Sequence, residues 1–349
     1  MRHNPALDGL RGVAIIFVIC VHSFPHLLPN GWIGVDVFFV LSGYLITSIL
    51  TNEIRQTGAI NYGNFYIRRA LRLAPAMLLL VAFQFIHAAF SPHNAHDIRT
   101  ATWISLAQVE NFNMAFGSWP RDVIGHTWSL ATEEQFYWIW PFALPLVVRR
   151  RPLLWLGVAS AAMIVARVVG WALGAGYFHI QFGPDVRPIG LLIGCALALI
   201  PAASLLRIPT AGLRLAALIC LVALVALAST GGDTLNWNMV LSPIAASLAT
   251  AGIIMGLHQQ VGVVFRLLAV SPAVYVGKIS YGLYLFTGPI FFIGEGHNFG
   301  LPFYLYDLAL VGLGFAAAAL SYEFVEKPCL RLKSRVGQRV ALPAAAPAE

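Results

Sequence analysis

Ten apolar runs, each about 16 to 22 residues long, decide what this chain can fold into. They cover roughly 8–27, 33–51, 73–90, 127–148, 153–174, 187–201, 213–229, 237–257, 273–293 and 304–322, separated by short polar or Pro/Gly-containing breaks. A helix rises 1.5 Å per residue, so about 20 residues cross a hydrocarbon core of ~30 Å. A membrane barrel would alternate apolar and polar residues instead. With 58% hydrophobic and 11% charged residues, the composition excludes an ordinary soluble domain. The expected fold is all-α: a polytopic membrane helical bundle of about ten transmembrane helices.

An eleventh stretch, 97–116, is helical in period but carries Arg99, Gln108, Glu110, Asn111 and Asn113. Charge placement resolves the topology, because cytoplasmic loops collect Lys and Arg. Ten spans with a cytoplasmic N-terminus put 18 of the 22 basic residues inside, leaving Arg99, Arg121 and Arg187 outside and Arg167 within a span. Counting the eleventh stretch as a span would export Arg149, Arg150 and Arg151 and the basic tail. That stretch is therefore expected to be an external, surface-lying or re-entrant helix, with both termini cytoplasmic. The first span has Asp8 and Arg11 at its head and no small-residue cleavage pattern, so it reads as retained. Residues 1–330 form one transmembrane domain, followed at 331–349 by a basic, then Ala/Pro-rich cytoplasmic tail that reads as disordered. Cys20, Cys195, Cys220 and Cys329 lack metal spacing, so free thiols and no metal are expected. Topology accounts for the net charge of +7 without a nucleic-acid partner; the lipid bilayer is the expected partner.

Ionisable groups at membrane depth are costly and mark function by default. Arg11 and His22 are eleven residues apart, which returns them to within ~20° of one helix face and separates them by ~16 Å along the axis. His126 and Glu133 share a face of the fourth span, and Glu134 turns about 100° away. Such a face at the depth of His22 would gather acid, base and orienting groups. Asp36, one turn into the second span, is a candidate to orient His22. At the opposite side, Arg68, Arg69 and Arg72 occupy one turn before the third span, a candidate phosphate clamp. Plainer readings stand beside these: positive-inside anchoring for the arginines, helix N-terminal carboxylates for Glu133 and Glu134, and a helix cap for Asp36. Arg167 either lines a substrate path or snorkels outward.

Four segments in order, "LDGLRG" leading to Arg11 and His22, "GVDVFFVLSGYLIT", "FYIRRALRLAP" and "HTWSLATEEQFY", give the chain from Leu7 to about Leu330 a specific pattern. It resembles the acyltransferase 3 family of bacterial integral membrane O-acyltransferases. "GKISYGLYL" and "LSYEFVEKP" are weaker marks of the same likeness. The resemblance implies transfer of an acyl group, acetyl or another short chain, from cytoplasmic acyl-CoA to a hydroxyl of an extracytoplasmic glycan or other acceptor. It implies residence in the bacterial cytoplasmic (inner) membrane. The family's essential Arg-His pair falls on Arg11 and His22, its arginine cluster on Arg68, Arg69 and Arg72, and the glutamate of its WSLxxE motif on Glu133. Two positions depart from the pattern: Thr287 stands where a histidine is usual, and Arg187 is followed by Pro188 and Ile189 where Arg-x-Asp is frequent.

The resulting expectation has the donor's phosphates on Arg68, Arg69 and Arg72 and its pantetheine arm passing Arg11. His22 acts as general base, with Asp36 or Glu133 stabilising the imidazolium, and His126, Glu134 and Arg167 contact substrate. An acyl-enzyme on Ser42 or His22 stays open. The competing class is a proton-coupled secondary transporter using the same intramembrane His and Glu groups, although no inverted halves are evident.

Overall fold

The computed structural model describes residues 3–117, 124–201, 204, 208–231, 237–294 and 302–332. Arg2, Arg121, Arg207 and the tail from Lys333 onward lie outside the described residues. Fourteen helices follow in order among the described residues. They are α1 (Pro5–Ser23), α2 (Gly34–Thr57), α3 (Tyr62–Phe90), α4 (Ala95–Leu106), α5 (Glu110–Phe116), α6 (Trp128–Val147) and α7 (Pro152–Ala172). Then come α8 (Tyr177–Phe182), α9 (Ile189–Leu199), α10 (Thr210–Ala228), α11 (Trp237–Leu257), α12 (Val263–Leu268), α13 (Ser271–Gly294) and α14 (Phe303–Ser321).

Each of the ten apolar runs contains one of these helices, and the local signals explain several ends. Pro5 and Asn4 open α1, the Asn4 side chain accepting the Ala6 N–H at 3.1 Å. Gly58, at φ +81°, closes α2 in the left-handed region. Eight of the described helical segments are long and apolar enough to cross a membrane. Of the remaining two runs, α6 carries Glu133 and Glu134, and α9 is only 11 residues long because Pro188 precedes it and Pro201 follows closely. Large apolar side chains such as Trp155, Val158, Leu215, Val222 and Leu308 stand exposed on α7, α10 and α14, as lipid-facing surfaces require.

The framework rests on close helix pairs. α1 packs on α13 and α2, α2 on α9, and α10 on α11. Hydrocarbon gives no hydrophobic drive between helices, so small residues that admit backbone contact become the packing device. A β-carbon added to Gly277 of α13 would overlap the Asp8 backbone carbonyl of α1, and one on Gly43 of α2 would overlap that of Leu191 on α9.

The eleventh stretch is two helices rather than one. α4 folds back along α3, the chain turns at Ala107–Val109, and α5 packs against α6 and α8. Its polar residues are the reason: Glu110, Asn111 and Asn113 are buried against the bundle. Neither helix is among the segments long and apolar enough to cross a membrane, so the stretch is not a single span.

Gly277→Ala is expected to destabilise the protein by about 1–3 kcal/mol, because the obstacle is rigid backbone. Gly157→Ala on α7, where an added β-carbon meets nothing within 4 Å, should be neutral or stabilising. Thermal unfolding of both variants in detergent checks the contrast.

Candidate active site

A cavity of about 1070 Å³ opens among α1, α2, α3, α6 and α13. Its lining includes Arg11 from α1, Ser42 from α2, Arg69 and Arg72 from α3, Glu133, Glu134 and Tyr137 from α6, and Tyr284 from α13. Asn4, Asn52, His258 and Gln260 also line it. Arg69 makes a two-pronged ion pair with Glu134, at 3.0 Å from Nε and 2.6 Å from Nη2. Its guanidinium carbon also lies 3.3 Å from the centroid of the Tyr137 ring. Ser42 donates to Glu133 Oε1 at 2.9 Å. Arg11 lies within electrostatic range of Arg72 and Glu133, and its guanidinium faces the Phe38 ring at 5.5 Å. Three guanidiniums and three carboxylates, Asp8, Glu133 and Glu134, line the space, but Glu134 is taken by Arg69 and Asp8 lies 2.9 Å from His3, while Arg11 and Arg72 form no ion pair among the described residues and could meet an anionic ligand.

Helix phase separates the arginine trio. Arg69 and Arg72 face the cavity, whereas Arg68 does not line it and donates to Asn64 Oδ1 at 3.0 Å. Of the three guanidiniums expected to form a clamp, two face the cavity from α3, and Arg11 of α1 lines it with them.

His22 stands away from this lining. Its Nδ1 is 2.7 Å from the Val18 carbonyl oxygen, and its ring meets Trp32 edge-on, 4.6 Å between centroids. A carbonyl only accepts, so Nδ1 carries the proton and Nε2 of the neutral ring holds the free lone pair. The α1 surface between Arg11 and His22 carries Ile15, Val18 and Ile19, all buried in apolar core, so a polar route from the cavity does not follow α1. Polar contacts run instead from the cavity wall to His126: Ser129 and Tyr284 share a 2.6 Å hydroxyl contact there, and Tyr284 donates to the His126 carbonyl at 2.6 Å. The His126 ring lies 5.6 Å from that of Tyr284 and within electrostatic range of His22. Gly288 makes room for it, since a β-carbon there would sit 2.5 Å from His126 Nδ1. The structure thus brings His126 to His22, and groups Glu133 with Arg11, Arg69 and Ser42.

Asp36 is not available to orient His22. Both its carboxylate oxygens are taken by Arg187, one by Nη1 and the other by Nη2 at 3.1 Å, with both side chains only 1% exposed. Arg187, counted from the sequence on the outer side, is packed between Trp128 and Phe39, at 5.3 and 5.9 Å from their centroids. Arg167 is fully buried and donates to the carbonyls of Val240 at 3.0 Å and Ile180 at 2.5 Å. It braces α7 against α11 and α8 rather than lining the cavity.

Sequence reasoning missed several groups. Tyr137, Ser129 and Tyr284 gave no signal beyond aromatic or small polar composition. Glu326 is 4% exposed, accepts from Ser321 Oγ at 2.9 Å and lies within electrostatic range of Arg72. It sits in a π-helical turn, Tyr322–Glu326, and the "LSYEFVEKP" segment was its only signal. Among the described residues no His, Cys, Asp and Glu cluster suits a metal ion.

Residues 4–323 match the family described as "Acyltransferase domain". The chain belongs to this acyltransferase family. Among similar proteins are O-acetyltransferase OatA of Staphylococcus aureus strain NCTC 8325 / PS 47 and its counterpart from strain COL. Each is 31% identical over 345 residues, covering 94% of this chain and 57% of the relative. The chain therefore spans little more than half the length of these curated relatives. No solved structure gives a significant match. In this acyltransferase-family chain the matched region contains every cavity residue named above.

Asp36→Ala would leave Arg187 charged and unpaired, an expected loss of about 3–5 kcal/mol. The double variant Asp36→Leu with Arg187→Met should recover much of it. Thermal unfolding of the single and double variants tests whether the pair is structural; equal destabilisation by both would refute it.

Proposed function

We propose that the protein transfers an acyl group, acetyl or another short chain, from acyl-CoA to a hydroxyl of an extracytoplasmic glycan or glycosylated acceptor. The carrying observation is the cavity itself: Arg11, Arg69 and Arg72 converge on one wall with the Ser42–Glu133 pair beside them. Guanidiniums favour phosphate oxygens through paired, charge-assisted hydrogen bonds. A space of about 1070 Å³ suits a ligand of cofactor size. The O-acetyltransferase name of its relatives supports acetyl as the group moved.

In this reading the donor enters from the cytoplasm, in a bacterial cytoplasmic (inner) membrane, with both chain termini on that side. The diphosphate rests on Arg69 and Arg72, and the pantetheine arm extends past Arg11 toward the Ser129–Tyr284 wall. His22 Nε2 accepts the proton of the acceptor hydroxyl as its oxygen bonds to the thioester carbonyl carbon. The C–S bond then breaks, and the departing thiolate takes the proton back from the imidazolium. The Val18 carbonyl holds His22 in the required tautomer, and no carboxylate is needed to do so. His126 shares the acceptor side with His22, and Glu134 holds Arg69 in place for the donor.

The test uses the protein in vesicles with acyl-labelled acetyl-CoA and bacterial envelope glycans. Label should enter glycan, and His22→Ala should cut that transfer by about 10²–10⁴-fold with unchanged thermal unfolding. Arg69→Ala should raise the KM for acetyl-CoA at least tenfold, the scale of one lost charge-assisted contact. Transfer retained by His22→Ala would remove His22 from this role, and solute uptake without glycan labelling would make the protein a carrier instead.

A further inference from the structure

Gln108 sits at the tip of the α4–α5 hairpin, and three independent features single it out. Its backbone is left-handed, φ +57°, a conformation an L residue with a long side chain adopts only when its surroundings hold it there. The surroundings do so: Gln135 of α6 donates to the Gln108 carbonyl at 2.7 Å. Gln135 is itself locked to Asn111 by reciprocal amide contacts of 2.8 and 3.0 Å. Gln108 is among the residues lining the cavity, and its Oε1 is a buried atom without a hydrogen-bond partner among the described residues. Buried amide oxygens are almost always bonded, and the exceptions call for a ligand or a function. Oε1 has almost no accessible surface as placed, so pairing with a ligand requires the carboxamide to turn about its soft terminal torsion toward the cavity.

We infer that Gln108 is a substrate-binding residue that pairs with a secondary amide of a substrate inside the cavity. A primary carboxamide offers one acceptor and two donors in one plane. It therefore matches a –CO–NH– group with two reciprocal hydrogen bonds, as Gln135 and Asn111 already match each other one turn away. The inference rests on reading the cavity as the acyl-CoA site, and two substrates of that reaction carry the group: the pantetheine arm of the donor, and an acetamido sugar in the acceptor. Membership of the cavity that holds Arg11, Arg69 and Arg72 favours the donor.

Gln108→Gly is the decisive variant. It deletes the carboxamide while placing at φ +57° the residue that tolerates it best, so the fold should be at least as stable as the parent. Binding is measured on the full chain in detergent with coenzyme A, with adenosine 3′,5′-bisphosphate, which has phosphates but no amide, and with chitotetraose against its deacetylated form. The expected result is affinity for coenzyme A roughly tenfold weaker in Gln108→Gly and unchanged affinity for the bisphosphate. A loss confined to chitotetraose would support the same amide recognition with the acceptor as its source. Unchanged affinity for both amide-bearing probes would overturn the inference. Parent protein that binds neither coenzyme A nor the bisphosphate would instead overturn the reading of the cavity, and this inference with it.

Discussion

Hydrocarbon offers a charge no water, so a charged side chain inside this bundle must find its counterpart in the protein. That constraint organises the structure. Asp36 and Arg187 neutralise each other where α2 meets the start of α9, beneath Trp128. Arg69 and Glu134 do the same between α3 and α6, with Tyr137 closing over the guanidinium. The two pairs differ in one respect. The first is sealed at 1% exposure, while the second faces a cavity in which Arg11 and Arg72 add further positive charge. One is sealed within the bundle, and the other borders the cavity proposed to take the donor.

The glycine contacts make the cavity possible. Where α1 lies against α13, and α2 against α9, backbones approach so closely that the bundle's apolar packing is concentrated in those pairs. α3 and α6 stand on the far side of the space, α3 meeting α13 and α6 meeting α2, and the hairpin of α4 and α5 plugs the gap between them. Gln108 at the hairpin tip is consequently part of the cavity wall although its segment starts and ends outside the principal spans.

Much of this was legible in the sequence, and the remainder shows where one-dimensional reasoning stops. The helices could be read because lipid demands long apolar runs, and the charge asymmetry correctly denied the 97–116 stretch the status of a simple span. Arg11, Arg69 and Arg72 were expected on one side and Glu133 beside His22 and His126, whereas the structure sets Glu133 with Arg11, Arg69 and Ser42 on the cavity. The partner of Asp36 was not legible, because Arg187 lies 151 positions away and was counted only as a basic residue of the outer side. Arg68 was grouped with its neighbours by spacing, yet its guanidinium is held by Asn64 one turn back along α3 instead of entering the cavity. Arg167 could be flagged as costly but not assigned, since its partners are backbone carbonyls that carry no sequence signal. The polar contacts that leave the cavity wall run through Ser129 and Tyr284 to the His126 carbonyl on other helices, which the periodicity of α1 alone could not reveal.

The central claim is that the guanidiniums of α1 and α3 hold the acyl donor in the cavity that α6 completes. A structure of the protein with a non-transferable thioether analogue of acetyl-CoA tests it most directly. The account predicts the diphosphate within hydrogen-bonding distance of Arg69 and Arg72, and the sulfur between Ser42 and the Ser129–Tyr284 wall. Phosphates bound away from both arginines, or an analogue seated outside this cavity, would contradict it.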